Sequence, residues 1–424
     1  MNRKQFMILV VAGVIIGGMG WALFLKRSAS WQTGIPGATS RLLGDFPIND
    51  VAQVLIRQGT NALHLAKGET LWQVQERSNY PANFSEISEL VRKLYDLKPV
   101  QSVKVGPSQY GRLELLSPGP GTNTATVVEF KDKGGKALAT LWLGKKHTRS
   151  AGEDSPFGGG GGGWPDGRYV MVPGGSPAPV WLIADPLSNV EPKPESWLNK
   201  DFIKVEKLKS ISVTPTNAAQ AWSFARETES GDLKLQDRKE GEEPDANKIT
   251  GLVNVLSYAT FNDVLARDAE AEKQHLGEPV GVALETFEGF HYKIKIGSAA
   301  SGDNHPMTIE VSADFPSERT PGKDEKPEDK EKLDKEFKDK LDKHKEKLSQ
   351  EKACEKWIYL VSKWTVENLL KDRTYWMVDK KTETKAEEND SSKNPEEEED
   401  ISIPGLPPIP ADPTSDKDVG SEPQ

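Results

Sequence analysis

Four segments of this chain occur twice, in the same order, and that constrains the fold more than any single motif does. LWQVQER at Leu71 to Arg77 returns as DLKLQDR at Asp232 to Arg238, and ISELVRKL at Ile87 to Leu94 returns as ITGLVNVL at Ile249 to Leu256 with the same apolar spacing. LATLWLG at Leu138 to Gly144 returns as FHYKIKIG at Phe290 to Gly297, and PVWLIAD at Pro179 to Asp185 as KWIYLVS at Lys356 to Ser362. Each half then closes on a tryptophan, Trp197 in the first and Trp376 in the second.

Within the first half, Val51, Val54 and Ile56 read as a strand, and residues 62–66 with 70–74 as a hairpin-like pair broken at Lys67-Gly68. Ser85 is expected to cap a helix whose apolar residues Ile87, Leu90, Val91, Leu94 and Leu97 fall on one face, with Pro99 ending it. Strands are predicted at residues 126–130, 137–143, 169–172 and 180–183. Alternation at Val127, Leu141, Leu143, Ile294 and Ile296 favours antiparallel pairing. The expected class is α+β: two tandem repeats of a mostly antiparallel sheet with a covering helix, at 45–200 and 201–380, behind one N-terminal transmembrane helix.

That helix is read at Phe6 to Leu25, twenty residues without a charge, between Arg3-Lys4 and Lys26-Arg27. At about 1.5 Å per residue it matches a hydrocarbon core of about 30 Å. A cleaved signal is the rival reading, with Ser28-Ala29-Ser30 at a plausible cleavage spacing. The apolar core exceeds the usual length for a signal, and Lys26 and Arg27 charge the region where cleavage would fall, so an uncleaved anchor is expected. Basic residues are nearly balanced across it, and the short tail 1–5 is expected to stay inside, with linker 26–44 and the body outside. Gly13 and Gly17 form a GxxxG pair, with Trp21 one turn on, a spacing for packing on another membrane helix.

A net charge of −10 argues against a nucleic-acid-binding body. A single cysteine, Cys354, excludes an intramolecular disulfide and a cysteine-based zinc site. The six histidines show no metal-ligand spacing, the Gly158 to Gly163 run lacks the Lys-Ser/Thr of a phosphate loop, and Gly-x-Ser-x-Gly is absent. No catalytic residue, metal or cofactor is expected. The tryptophans leave open a binding cleft between the repeats, with core packing as the plainer role.

Two segments stand outside the repeat. Residues 316–356 are rich in Lys, Glu and Asp, with Leu333, Phe337, Leu341 and Leu348 as a thin apolar stripe. They read as a solvated helix or helical hairpin able to join a coiled coil. Residues 381–424, with EEEED at 396–400 and IPGLPPIP at 403–410, are expected to be disordered.

The Trp72-x-Val74 strand, the Tyr80-Pro81-Ala82 turn, the helix from Ile87 to Leu97 and Leu116-Ser117-Pro118 resemble the bacterial family called domain of unknown function 4340, over roughly residues 45–143. Asn83 stands where that pattern has an acidic residue, and the glycine run and charged insertion are additions to it. The resemblance implies a membrane-anchored, extracytoplasmic protein associated with ABC-2-type transporters and gliding-type components, without an assigned activity. The expected role is therefore a non-enzymatic accessory or scaffold protein of the inner membrane, single-pass with a periplasmic body. Its expected partners are the lipid bilayer and a transporter permease or other envelope protein, and no nucleic acid. The alternative is a cell-envelope glycan- or peptide-binding module using Trp residues between the repeats.

Overall fold

The alternating strands resolve into two antiparallel sheets in a computed structural model that describes residues 40–148, 164–175, 177–299, 301–321, 325–326 and 329–378. Sheet one contains β1 (Gln53–Gln58), β2 (Asn61–Lys67), β3 (Trp72–Val74), β4 (Tyr80–Pro81), β5 (Gln101–Val103), β6 (Thr126–Lys131), β7 (Ala137–Thr148), β8 (Pro165–Met171) and β9 (Val180–Ile183). Sheet two contains β10 (Leu208–Thr214), β11 (Trp222–Ala225), β12 (Lys234–Leu235), β13 (Asp263–Ala266), β14 (Val280–Thr286), β15 (Phe290–Ile296), β16 (Asn304–Ala313) and β17 (Trp357–Ser362). Their orders are β4-β3-β2-β1-β6-β7-β8-β9-β5 and β12-β11-β10-β14-β15-β16-β17-β13. Apart from the two-residue β4, the chain visits both sheets in the same sequence of positions, and the four recurring segments fall on corresponding elements. The apolar stretch 6–25, with Gly13, Gly17 and Trp21, and the tail 381–424 lie outside the described residues, among which no helix is long and apolar enough to cross a membrane.

Helix α1 (Phe84–Tyr95) lies on one face of sheet one. Its cap is Asn83, not Ser85: the Asn83 side chain accepts hydrogen bonds from the N–H groups of Ser85 and Glu86. Ile87, Leu90, Val91 and Leu94 share one apolar core with Ile56, Leu65, Val128 and Phe130. Burying these four helix side chains contributes roughly 6–12 kcal/mol before ordering entropy is subtracted. The same core runs on into sheet two, through Ile211, Phe224 and Ile294. Val127, one residue out of phase with Val128, faces the other way into a smaller core with Leu115, Met171 and Val180.

In sheet two the covering helix is shorter than the sequence pattern suggests. Helix α2 (Ala246–Thr250) has only five residues and tightens into a 3-10 turn over Gly251–Asn254. Gly251, Asn254 and β-branched Val255 weaken the helix where α1 has Glu89, Arg92 and Lys93. The caps are nevertheless tied alike: the Asn83 N–H donates to the Trp197 carbonyl at 2.8 Å, and the Asp245 N–H to the Trp376 carbonyl at 2.9 Å. After α3 (Ala269–Leu276), β14 to β16 run as a meander.

The charged insertion forms one helix among the described residues, α4 (Lys330–Lys352), the first of the two expected forms, and near its C-terminus it docks on sheet two through Leu348. Leu348 packs against the core, and the His344 ring meets Phe290 and Phe315. Buried Glu351 accepts the Lys204 N–H at 3.0 Å and the Tyr292 hydroxyl at 2.8 Å. The segment leading into the helix is held by Arg319, which pairs with Asp334 at 2.8 Å and with Glu325.

Candidate functional site

Two places gather chemistry-bearing side chains, and neither follows from spacing in the sequence. The first is the junction of the sheets. The turn after β3 carries Arg77, whose Nε and Nη2 donate to the two carboxylate oxygens of Asp263 at 2.6 and 2.7 Å. Glu195 lies 3.8 Å from the same guanidinium. Lys200 donates to the carbonyls of Phe261 and Asn262 at 3.3 and 3.1 Å and lies over the Phe261 ring, where burial holds its pKa below that of a free lysine.

Inside this polar rim is an aromatic cluster. Tyr80 meets Trp357 edge-on with centroids 4.7 Å apart, and Phe202 and Phe261 pack on Tyr359 at 4.6 and 5.0 Å. The Tyr359 hydroxyl is buried without a hydrogen bond among the described residues. Burial raises the pKa of Tyr80 and Tyr359 and pushes the Cys354 thiol up to about 11. A thiol so placed is a packing group, not a nucleophile at neutral pH.

The second place is a groove of about 430 Å³ at one end of sheet one, lined by Arg112, Lys145, Lys146, His147 and Tyr169. His147 Nδ1 lies 2.6 Å from Asp166. Arg112, Lys145 and Lys146 form no ion pair among the described residues.

The remaining histidines are dispersed. His64 pairs with Glu76 at 2.6 Å, His291 lies 3.3 Å from Asp314, and His305 donates from Nδ1 to the Gly297 carbonyl at 3.1 Å. Among the described residues no group of three or more His, Cys, Asp or Glu is placed to hold a metal ion. Trp72, Trp197, Trp222 and Trp376 are buried, and among the described residues Trp357 is the one tryptophan that joins the junction, packed on Tyr80. No spacing in the sequence joins Arg77, Tyr80 and Asp263: Arg77 belongs locally to the repeated segment Leu71 to Arg77 and Tyr80 to the Tyr-Pro-Ala turn, and nothing local ties either to a residue so far along the chain.

The fold and these two places define an α+β protein built of two antiparallel sheets around a shared core. Residues 156–279 match the model of the family described as Domain of unknown function (DUF4340), which supports the resemblance to that family over this stretch. The match begins ahead of β8 and ends just before β14, so it takes in β10 to β13, the counterparts of β1 to β3 and β5. The residues that carry the resemblance in the sequence, Trp72 to Pro118, lie ahead of it. No curated protein and no solved structure matches the chain.

Proposed function

We propose that the protein is a non-enzymatic, single-pass accessory or scaffold subunit. Its helix at 6–25 sits in the inner membrane, and its body, two tandem copies of one α+β unit, stands in the periplasm beside an ABC-type transporter or another envelope complex. The observation that carries this reading is the uncharged twenty-residue stretch Phe6 to Leu25 ahead of a continuous folded body. The shared strand order of the two sheets supports the tandem copies, and what the family resemblance implies supports the partner. Gly13, Gly17 and Trp21 are the residues expected to pack on a partner helix.

Purification from native membranes in mild detergent tests the proposal. The expected result is co-recovery of a permease or other envelope protein, weakened by Gly13→Leu with Gly17→Leu. Recovery of the chain alone from membranes sinks the partner, and recovery in the soluble fraction sinks the anchor. The side of the membrane is read by replacing exposed Ser230 with cysteine in a Cys354→Ala background: an impermeant reagent should label it in intact spheroplasts, and protection there overturns the orientation.

A further inference from the structure

The groove and the most exposed aromatic side chains share one end of the body, and the chain enters the body at that end. In sheet one, Lys146 near the end of β7 pairs with Arg168 near the start of β8, Arg168 with Ile183 at the end of β9, and Leu182 with Gln101 at the start of β5. The N–H of Val100 donates to the Leu182 carbonyl, and that of Leu42 to Leu97, so Ser40, the first described residue, lies beside this end. In sheet two the corresponding end carries Asp263 opposite Leu360 and Asn304 opposite Ser362.

Two contacts set the direction of one sheet against the other. Arg77 lies towards the Ser40 end of sheet one and holds Asp263 at the corresponding end of sheet two. Tyr80, deeper along its sheet opposite Val74, meets Trp357 at the far end of β17. The two ends therefore face the same way.

Trp164 immediately precedes β8 and is 90% exposed; Trp364 follows β17 by two residues and is 86% exposed; Tyr258, five residues ahead of β13, is 90% exposed. These are the three most exposed large apolar side chains among the described residues, and each belongs to a segment next to this end. Aromatic side chains set singly among basic ones are the pattern of a membrane–water interface, where rings lie at headgroup depth and Lys and Arg meet phosphates. A protein-binding patch would gather such rings into one buried cluster. The opposite end of sheet one is mixed in sign, with Asp50, Lys67, Glu69, Asp132 and Lys133 around one hollow.

We infer that this end of the body is a membrane-facing surface, on which Trp164 and Trp364 enter the headgroup layer and Arg112, Lys145 and Lys146 take the phosphates of anionic phospholipids. The inference rests on the anchored reading above, since an anchor ending at Leu25 tethers Ser40 near a bilayer.

The test uses the full chain reconstituted into phosphatidylcholine vesicles with and without phosphatidylglycerol. A nitroxide is attached at Thr148→Cys or, at the opposite end, at Lys133→Cys, each in a Cys354→Ala background with a native melting profile. With phosphatidylglycerol present, the label at 148 should be severalfold less accessible than that at 133 to a water-soluble nickel chelate. Combining Arg112→Glu, Lys145→Glu and Lys146→Glu should abolish the difference, and Trp164→Ser with Trp364→Ser should reduce it. Equal accessibility at the two positions overturns the inference, as does shielding that survives charge reversal. Shielding of the same size in detergent without lipid assigns the surface to a protein contact and overturns it too. Flotation at high salt separates the anchor from the surface. If the chain fails to float, the anchor reading falls, yet shielding at 148 in low-salt anionic vesicles still supports the surface and its absence overturns it.

Discussion

Arg77 and Asp263, 186 positions apart, meet in a bidentate pair at 2.6 and 2.7 Å, and this pair closes the polar rim of the junction over the Tyr80–Trp357 contact. Both side chains are about three-quarters buried, which limits screening by water. A double-mutant cycle of Arg77→Ala and Asp263→Ala, read by denaturant unfolding, is expected to give a coupling of about 1–2 kcal/mol. Arg77→Lys should restore only part of it, because an ammonium cannot reproduce the two parallel bonds. A coupling near zero would leave the aromatic cluster, the Lys200 contacts and the shared apolar core to hold the sheets together.

Gly144, inside β7, and Gly297, just after β15, occupy corresponding positions of the repeat, and both are crowded. A Cβ at 144 would stand 2.3 Å from the Leu113 carbonyl oxygen, and one at 297 would stand 2.8 Å from that of His275. Gly144→Ala is expected to destabilise the protein by about 2–3 kcal/mol, with Gly297→Ala somewhat milder. Gly251 is the contrast: it has helical backbone angles and open space where a Cβ would go. Gly251→Ala should stabilise by about 0.5–1 kcal/mol. Thermal midpoints of the three variants check the ordering.

Two carboxylates should give opposite responses to acid. The Arg373 guanidinium holds Glu242 down to about 2, so its contribution to stability is present above the ordinary glutamate range and is lost as pH falls through about 2. Burial raises the pKa of Glu351, whose contribution is greatest below the ordinary glutamate range and is lost as pH rises through its elevated folded-state value. Melting curves from neutral pH downward should show Glu242→Gln flattening the acid loss. Glu351→Gln should remove a gain on mild acidification while leaving neutral-pH stability equal or higher. Identical pH profiles for wild type and both variants would refute the assignment.

The insertion divides into a dispensable part and a structural one. Replacing residues 321–341 with a flexible linker is expected to lower the thermal midpoint by only a few degrees, as for about 1 kcal/mol. Leu348→Ala or Glu351→Ala should each cost about 1–3 kcal/mol, the first by removing packing and the second by leaving the Lys204 N–H and Tyr292 hydroxyl without their acceptor. Equal effects from the linker and the point variants would mean that the whole helix is docked.

What was legible in the chain is what local pattern encodes. Alternation marked β6, β7 and β15, and the apolar face from Ile87 to Leu94 marked α1. The short edge strand β5 escaped because three residues hold too little alternation to read. The length of α2 escaped because apolar spacing alone does not register the glycine at 251. The junction was invisible for a different reason: Arg77, Tyr80 and Asp263 acquire their meaning from tertiary contact, and no periodicity links them. The basic groove is likewise assembled from β7 and the loop around Arg112, which are far apart in sequence.

The two sheets meet through unlike edges, the β3–β4 side of one against the β13–β17 side of the other. A contact of that kind does not close on itself, and nothing in its geometry limits the number of units that follow. The far edge of the second unit differs from that of the first in its chemistry. Counting back from the caps Asn83 and Asp245, Glu242 stands where the first unit has Tyr80, and Arg373 grips it through two hydrogen bonds of 2.8 Å. Where the first unit offers a tyrosine ring that packs on its neighbour, the second therefore presents a carboxylate held by a buried guanidinium, so the two copies of this edge differ in what they can pack against.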